Sequence, residues 1–109
     1  MNESYITGLF DSGLGCFYKT KPRVYKDGIK RRSYLRFRFR FKKNPKYKLE
    51  VMENIFHYLS SEHDIKVRKI DKEKAVIFNM SEASTIKFIR FLIKNGALLR
   101  QKELKSLLE

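Results

Sequence analysis

The sequence predicts an α+β fold: a four-stranded antiparallel sheet with helices on one face and a basic surface on the other. Three observations predict it. Two hairpin-like segments of similar form are separated by a helical pattern, a further helical pattern precedes the first hairpin, and two follow the second. One strand alternates strictly between apolar and cationic residues, the mark of a sheet with one buried and one open face. With 109 residues, 42% of them hydrophobic, the chain is expected to form one domain, residues 1–109, around a single core.

The elements follow in order. Residues 5 to about 14 read as a short helix capped by Ser4, weakened by Gly8 and Gly13 and therefore dependent on packing. The run from Gly15 to Lys21 suits a strand, and Lys26-Asp27-Gly28 is a turn signal that makes a long hairpin. In the returning strand Leu35, Phe37, Phe39 and Phe41 fall on one face and Arg36, Arg38 and Arg40 on the other. Asn44-Pro45 stops it, and apolar residues at helical spacing predict a helix over 46–59. A shorter hairpin, 65–70 and 75–78, turns at Asp71-Lys72-Glu73. Ser81 caps the next helix, Asn95-Gly96 ends it, and an amphipathic helix spans 97 to 108.

Charge is concentrated rather than spread. The net charge is +13, and fourteen of the 25 basic residues but one of the 12 acids lie between Lys19 and Lys48, leaving eleven of each sign elsewhere. A contiguous cationic surface of this kind points to a polyanion, because cations that displace counterions from phosphates gain affinity. Merely solubilising surfaces intersperse both signs. The expected nucleic-acid contacts are Lys19, Lys21, Arg23, Lys30, Arg31, Arg32, Arg36, Arg38, Arg40, Lys42 and Lys43. Same-face residues on a strand are spaced about 6.7 Å apart, close to the phosphate repeat of a nucleic-acid strand. Tyr18, Tyr25 and Tyr34 lie among these cations, placed either to stack on unpaired bases or to pack at a sheet edge.

Other chemistries find little support. There is no glycine-rich phosphate loop, Cys/His cluster or nucleophile elbow. The lone Cys16 forbids an internal disulfide and is expected to be small and buried at the start of a strand. His57 and His63 are expected at a helix end and in a loop, and Glu50, Glu53, Asp64, Asp71 and Glu73 as solvated carboxylates. No run of about 18 apolar residues is present, and Met1-Asn2-Glu3-Ser4 lacks a signal-peptide layout, so a soluble, intracellular protein without a membrane partner is expected.

The segment Ile6-Thr7-Gly8-Leu9-Phe10-Asp11-Ser12-Gly13, followed by Gly15-Cys16-Phe17, resembles the LAGLIDADG homing-endonuclease motif and the strand after it. The order αββαββα is that family's repeat, so the resemblance covers essentially the whole chain with one motif. It implies a fold of four strands and covering helices, and motif helices that pack across a two-fold axis, so that a single-motif chain forms a homodimer through a face containing Gly8 and Asp11. Alternatively, Gly8 and Gly13 permit close packing within this one domain. The family cleaves DNA with a divalent metal held by the motif's second Asp. That position falls on Gly13 without a gap, or on Leu14 with a one-residue insertion, and neither carries the side-chain oxygen that Mg²⁺ requires. Asp11 matches the first Asp and remains the weak catalytic candidate, with a structural capping role as its alternative. Lys66 and Arg68 are basic residues of the second hairpin without a motif match.

The resemblance therefore implies a nucleic-acid-binding protein derived from a homing endonuclease, without cleavage and without a cofactor, Mg²⁺ being needed only for residual nuclease activity. RNA is favoured over DNA, in an organellar ribonucleoprotein such as the mitochondrial ribosome, with ribosomal or other ribonucleoprotein proteins as partners. The abundance of Lys, Ile, Asn, Phe and Tyr, all of AT-rich codons, fits an organellar genome. The alternatives are an active homodimeric endonuclease that uses Asp11 for metal, an intron maturase, and a dimeric DNA-binding regulator.

Overall fold

The computed structural model describes residues 2–109, the side chain of Arg31 apart. The elements are α1 (Glu3–Asp11), β1 (Cys16–Lys19), β2 (Arg23–Val24), β3 (Lys30–Arg31), β4 (Leu35–Lys42), α2 (Lys46–His63), β5 (Arg68–Asp71), β6 (Ala75–Met80), α3 (Glu82–Lys94) and α4 (Gln101–Leu108). The predicted four-stranded antiparallel sheet forms in the order β1-β4-β6-β5, which puts the two hairpins side by side through β4 and β6. Every helix contributes to a core built on one side of that sheet, around Phe17, Leu35, Phe37, Phe39, Val76, Phe78 and Met80.

The first hairpin is longer than its sheet portion. Beyond Lys19 and Leu35 the chains stay together through Thr20 N–H donating to the Tyr34 carbonyl (2.9 Å), then separate and pair again as the β2–β3 ribbon. The predicted strand from Gly15 to Lys21 is thus shorter, Cys16–Lys19, and pairing resumes only at Arg23, beyond Pro22, which has no N–H to donate. The tip turns as expected at Gly28 (φ 83°), with Asp27 Oδ1 accepting from Ile29 N–H.

Five boundaries differ from the sequence reading. The cap of α1 is Asn2, whose Oδ1 accepts from the N–H groups of Ser4 (2.7 Å) and Tyr5, so Ser4 is inside the helix. The helix ends at Asp11 because Gly13, at φ 109°, takes the left-handed turn that closes it. Helix α2 runs one turn beyond Leu59. The apolar stripe ends at Leu59, and the added turn is held instead by His63, which bonds Glu3 and packs edge-on against Phe91. His57 consequently lies mid-helix and His63 on its last turn, not in a loop. Strand β5 starts only at Arg68, since Lys66 N–H donates to the Ser84 hydroxyl on α3 rather than to a neighbouring strand. Helix α4 begins at Gln101 instead of Ala97, for a reason that belongs to the motif region below.

Eight of the nine phenylalanines are buried in the core, and the ninth, Phe41, packs against it. Phe10 of α1 is the hub: its ring meets Phe88 edge-to-face at 4.9 Å, and its centroid lies 6.0, 6.3 and 5.9 Å from those of Phe37, Phe39 and Phe56. Gly15 makes room for this arrangement. A Cβ there would lie 2.3 Å from the Phe37 ring, and its φ of 75° is in any case one that favours glycine. Close packing inside the chain is therefore the work of Gly15, not of Gly8 or Gly13, where an added Cβ meets nothing within 4 Å.

Candidate nucleic-acid interface

Strand β4 sorts its residues as the alternation requires. Leu35, Phe37 and Phe39 are buried against the helices, while Arg36 is half-buried and Arg38, Arg40 and Lys42 are exposed on the opposite face. Antiparallel partners share a face, so the register extends this surface across the sheet. Tyr18 and Cys16 stand opposite Arg36 and Arg38 on β1, and Asn79, Ile77 and Ala75 opposite Arg38, Arg40 and Lys42 on β6. Arg68 and Ile70 continue it on β5. Ile77 and Ala75 are 4% and 2% exposed although their register places them on this face. Among the described residues no carboxylate belongs to this face, and no ion pair holds Arg38, Arg40 or Lys42.

The remaining predicted contact residues divide. Lys21, Arg23 and Lys30 are exposed on the ribbon and its root, and continue the basic surface beyond the sheet. The side chain of Arg31 lies outside the described residues. Lys19, paired with inward-facing Leu35, is exposed at the sheet edge, where it lines one cleft with Tyr18 and Arg36. Arg32 is engaged by Glu82, with its two terminal nitrogens 2.6 and 3.2 Å from the carboxylate, and Glu82 also accepts from Leu35 N–H. This fork raises the Arg32 pKa and holds the Glu82 carboxyl below its ordinary value. Lys43 pairs with Asp71 at 2.5 Å and lowers its pKa in the same way. Asp64 is bonded by Lys87 (2.7 Å), with its pKa lowered, so these two aspartates are ion-paired rather than simply solvated. Cys16 begins β1 as predicted but is exposed, because its position in the register puts it on the arginine face. Arg68 joins this face although it is not among the expected contacts. The alternation Lys66, Arg68, Ile70 was the available signal, and only the β5–β6 register places it in line with Arg38.

The motif segment lies at the other end of the chemistry. Asp11 accepts from Leu99 N–H at Oδ2 (3.0 Å) and from Arg100 N–H at Oδ1 (2.8 Å), which satisfies the turn entering α4 and delays that helix to Gln101. Arg100 answers by donating from one nitrogen to the carbonyls of Phe10 and Leu14, both at 3.1 Å, while its guanidinium lies 5.0 Å over the Phe17 ring. A cation thus already occupies the carbonyl-rich end of α1. Gly13 closes the helix, and Leu14 packs against the core edge. The residues present do not fit a catalytic Mg²⁺: neither motif position offers a side-chain oxygen, the Leu14 carbonyl is taken by Arg100, and both oxygens of Asp11 are bonded to backbone N–H groups. Among the described residues no three His, Cys, Asp or Glu side chains gather at metal-binding distance. Gly8 is exposed on the outer side of α1.

No family model and no curated protein matches the chain. Solved structures do. The architecture is that of a homing endonuclease: the crystal structure of the homing endonuclease I-TnaI aligns over 98% of this chain and 69% of its own, with a TM-score of 0.63 and 17% identity. A LAGLIDADG meganuclease, I-AabMI, bound to uncleaved DNA, aligns over 98% of this chain and 42% of its own, at a TM-score of 0.49 and 19% identity. The four-stranded antiparallel sheet with covering helices expected from the residues around Gly8 and Asp11 is the fold the chain adopts, and it is shared with I-TnaI. Among the described residues no helix is long and apolar enough to cross a membrane.

Proposed function

We propose that the chain is a nucleic-acid-binding protein derived from a LAGLIDADG endonuclease, which holds RNA on its arginine face and does not cut it. The observation that carries the reading is the acid-free outer face of the sheet, with Arg36, Arg38, Arg40 and Lys42 spaced along one strand and Arg68 across from them. Cations without carboxylate partners are repaid only when a polyanion arrives. Similar folds in endonucleases support nucleic acid as that polyanion, and the occupied oxygens of Asp11, with Gly13 and Leu14 beside it, support binding without hydrolysis. RNA in an organellar ribonucleoprotein, the mitochondrial ribosome in particular, is the setting that fits a retained binding surface without cleavage. The open face of α1 around Gly8 is where a second copy would pack.

Cys16 gives a direct test, since it is the only cysteine and lies on the proposed face. Bound RNA is expected to slow its alkylation by iodoacetamide, and unchanged alkylation at saturating RNA would move the interface elsewhere. Incubation with DNA and Mg²⁺ is expected to leave the DNA intact. Metal-dependent cuts abolished by Asp11→Asn would restore the nuclease. Purification from the native source is expected to bring ribosomal RNA and ribosomal proteins in stoichiometric amounts; a free dimer without RNA would remove the ribonucleoprotein role.

A further inference from the structure

At the root of the ribbon, where the first hairpin leaves the sheet, a cleft of about 550 Å³ is lined by Tyr18, Tyr25 and Tyr34 together with Lys21, Arg23 and Arg36, and no acid lines it. Its size is in the range of about 300–1,000 Å³ typical of small organic ligands. The floor is fixed by three bonds between the two strands: Thr20 N–H to the Tyr34 carbonyl (2.9 Å), Tyr34 N–H to Thr20 Oγ1 (3.1 Å) and Ser33 Oγ to the Thr20 carbonyl (2.5 Å). One wall is fixed by the Arg32–Glu82 fork. Arg36 stands 5.8 Å over the Tyr34 ring, and one of its nitrogens is 3.5 Å from the tyrosine hydroxyl. Arg36 also lines two further clefts, one beside Ser81 and Glu82 and one beside Lys66, Arg68 and Asn79, so it borders all three.

We infer that this cleft receives one unpaired nucleotide, its base against the tyrosines and its phosphates led by Arg36 towards Arg68, so that the ligand is RNA with a bulged or single-stranded residue. The inference rests on the reading that this face binds nucleic acid, and specifies which kind. Paired bases have their faces covered by their neighbours and offer nothing to a recessed aromatic ring. An unstacked base offers both faces, and aromatic side chains and guanidinium planes accept any of the four bases. The core has taken the phenylalanines, and the rings that line this cleft are tyrosines, with Tyr18 and Tyr34 on the sheet strands or at their end. The larger cleft beside α3 is unsuited to the same ligand, because Glu3 and Asp64 line it.

The test uses the full chain and two fluorescent RNA hairpins, identical except that one carries a single bulged adenosine. The bulged hairpin is expected to bind about tenfold tighter, Tyr34→Leu to remove that advantage while leaving the paired hairpin unchanged, and Tyr34→Phe to retain it. Equal binding of the two hairpins, or equal weakening of both by Tyr34→Leu, would overturn the inference while leaving RNA binding itself intact. Failure of the wild-type chain to bind either hairpin overturns both readings. Should Tyr34→Leu not fold, 2-aminopurine at the bulge reports on the unaltered protein. Quenching on binding is the expected result, and fluorescence that stays constant or rises would overturn the stacked base.

Discussion

The two faces of β4 contrast within eight residues. On the inner face Phe37 meets the rings of Phe10, Phe17, Phe39, Phe56 and Phe88 and leaves Gly15 no space for a side chain. Each position there is dictated by its neighbours. On the outer face Arg38, Arg40 and Lys42 have no carboxylate partner among the described residues, whereas Arg32 and Lys43, just beyond the strand ends, are tied to Glu82 and Asp71. The difference teaches how to separate stability from binding: inner residues hold the fold together, outer ones are dispensable to it, and the cations at the strand ends pin loops.

The sharpest way to test that division is Phe37→Ala, which removes a fully buried ring and leaves a cavity between sheet and helices. A loss of about 3–5 kcal/mol is expected in urea denaturation. Next in size is Asp11→Ala. It leaves the N–H groups of Leu99 and Arg100 without their acceptor and frees α4 from α1, and a loss of about 2 kcal/mol is expected by the same measurement. Asp11→Asn, which keeps one oxygen, should fall between the two proteins.

The pinned cations make a smaller, pH-dependent contribution. Glu82 and Asp71 have ordinary values of 4.5 and 3.8, and both are lowered in the folded chain by their cationic partners. Their contribution is therefore complete above pH 4.5 and is lost as pH falls through the lower folded values. Thermal melts should show an acid limb below about pH 4.5, shallower in Glu82→Gln. Smallest in its effect on the fold is replacement of Arg36, Arg38 and Arg40 by Gln, which should change stability by no more than about 0.5 kcal/mol per position. The same variant should reduce the salt dependence of RNA binding by up to about 2–3 units, at roughly 0.7 to 0.9 per phosphate contact. A stability loss like that of Phe37→Ala, or an unchanged salt slope, would erase the distinction between the faces.

Features set by local stereochemistry were legible in the sequence. Alternation in Leu35 to Phe41 needs only the two-residue period of a strand, and the cap at Ser81 and the stop at Asn95-Gly96 need only one helix end each. Less legible were features whose partners are distant in sequence. The last turn of α2 depends on Glu3, 60 residues from His63, and the start of α4 on Asp11, 88 residues from Leu99. Arg32 carried the same weight as Arg38 in a count of charges until Glu82, 50 positions away, took it out of the free set. Cys16 shows the reverse, a small residue expected inside and turned outward by pairing with Arg38.

The sequence by itself determined the elements, the amphipathic sorting of β4 and the concentration of positive charge, because these follow from the period of the backbone and the identity of neighbours a few residues apart. Only the tertiary structure decided which cations share a face, that Arg68 joins them, that a guanidinium sits at the end of the motif helix, and that three tyrosines meet in one cleft. Each of those depends on strand order and register, which are set by long-range packing and bring together residues that no local pattern connects.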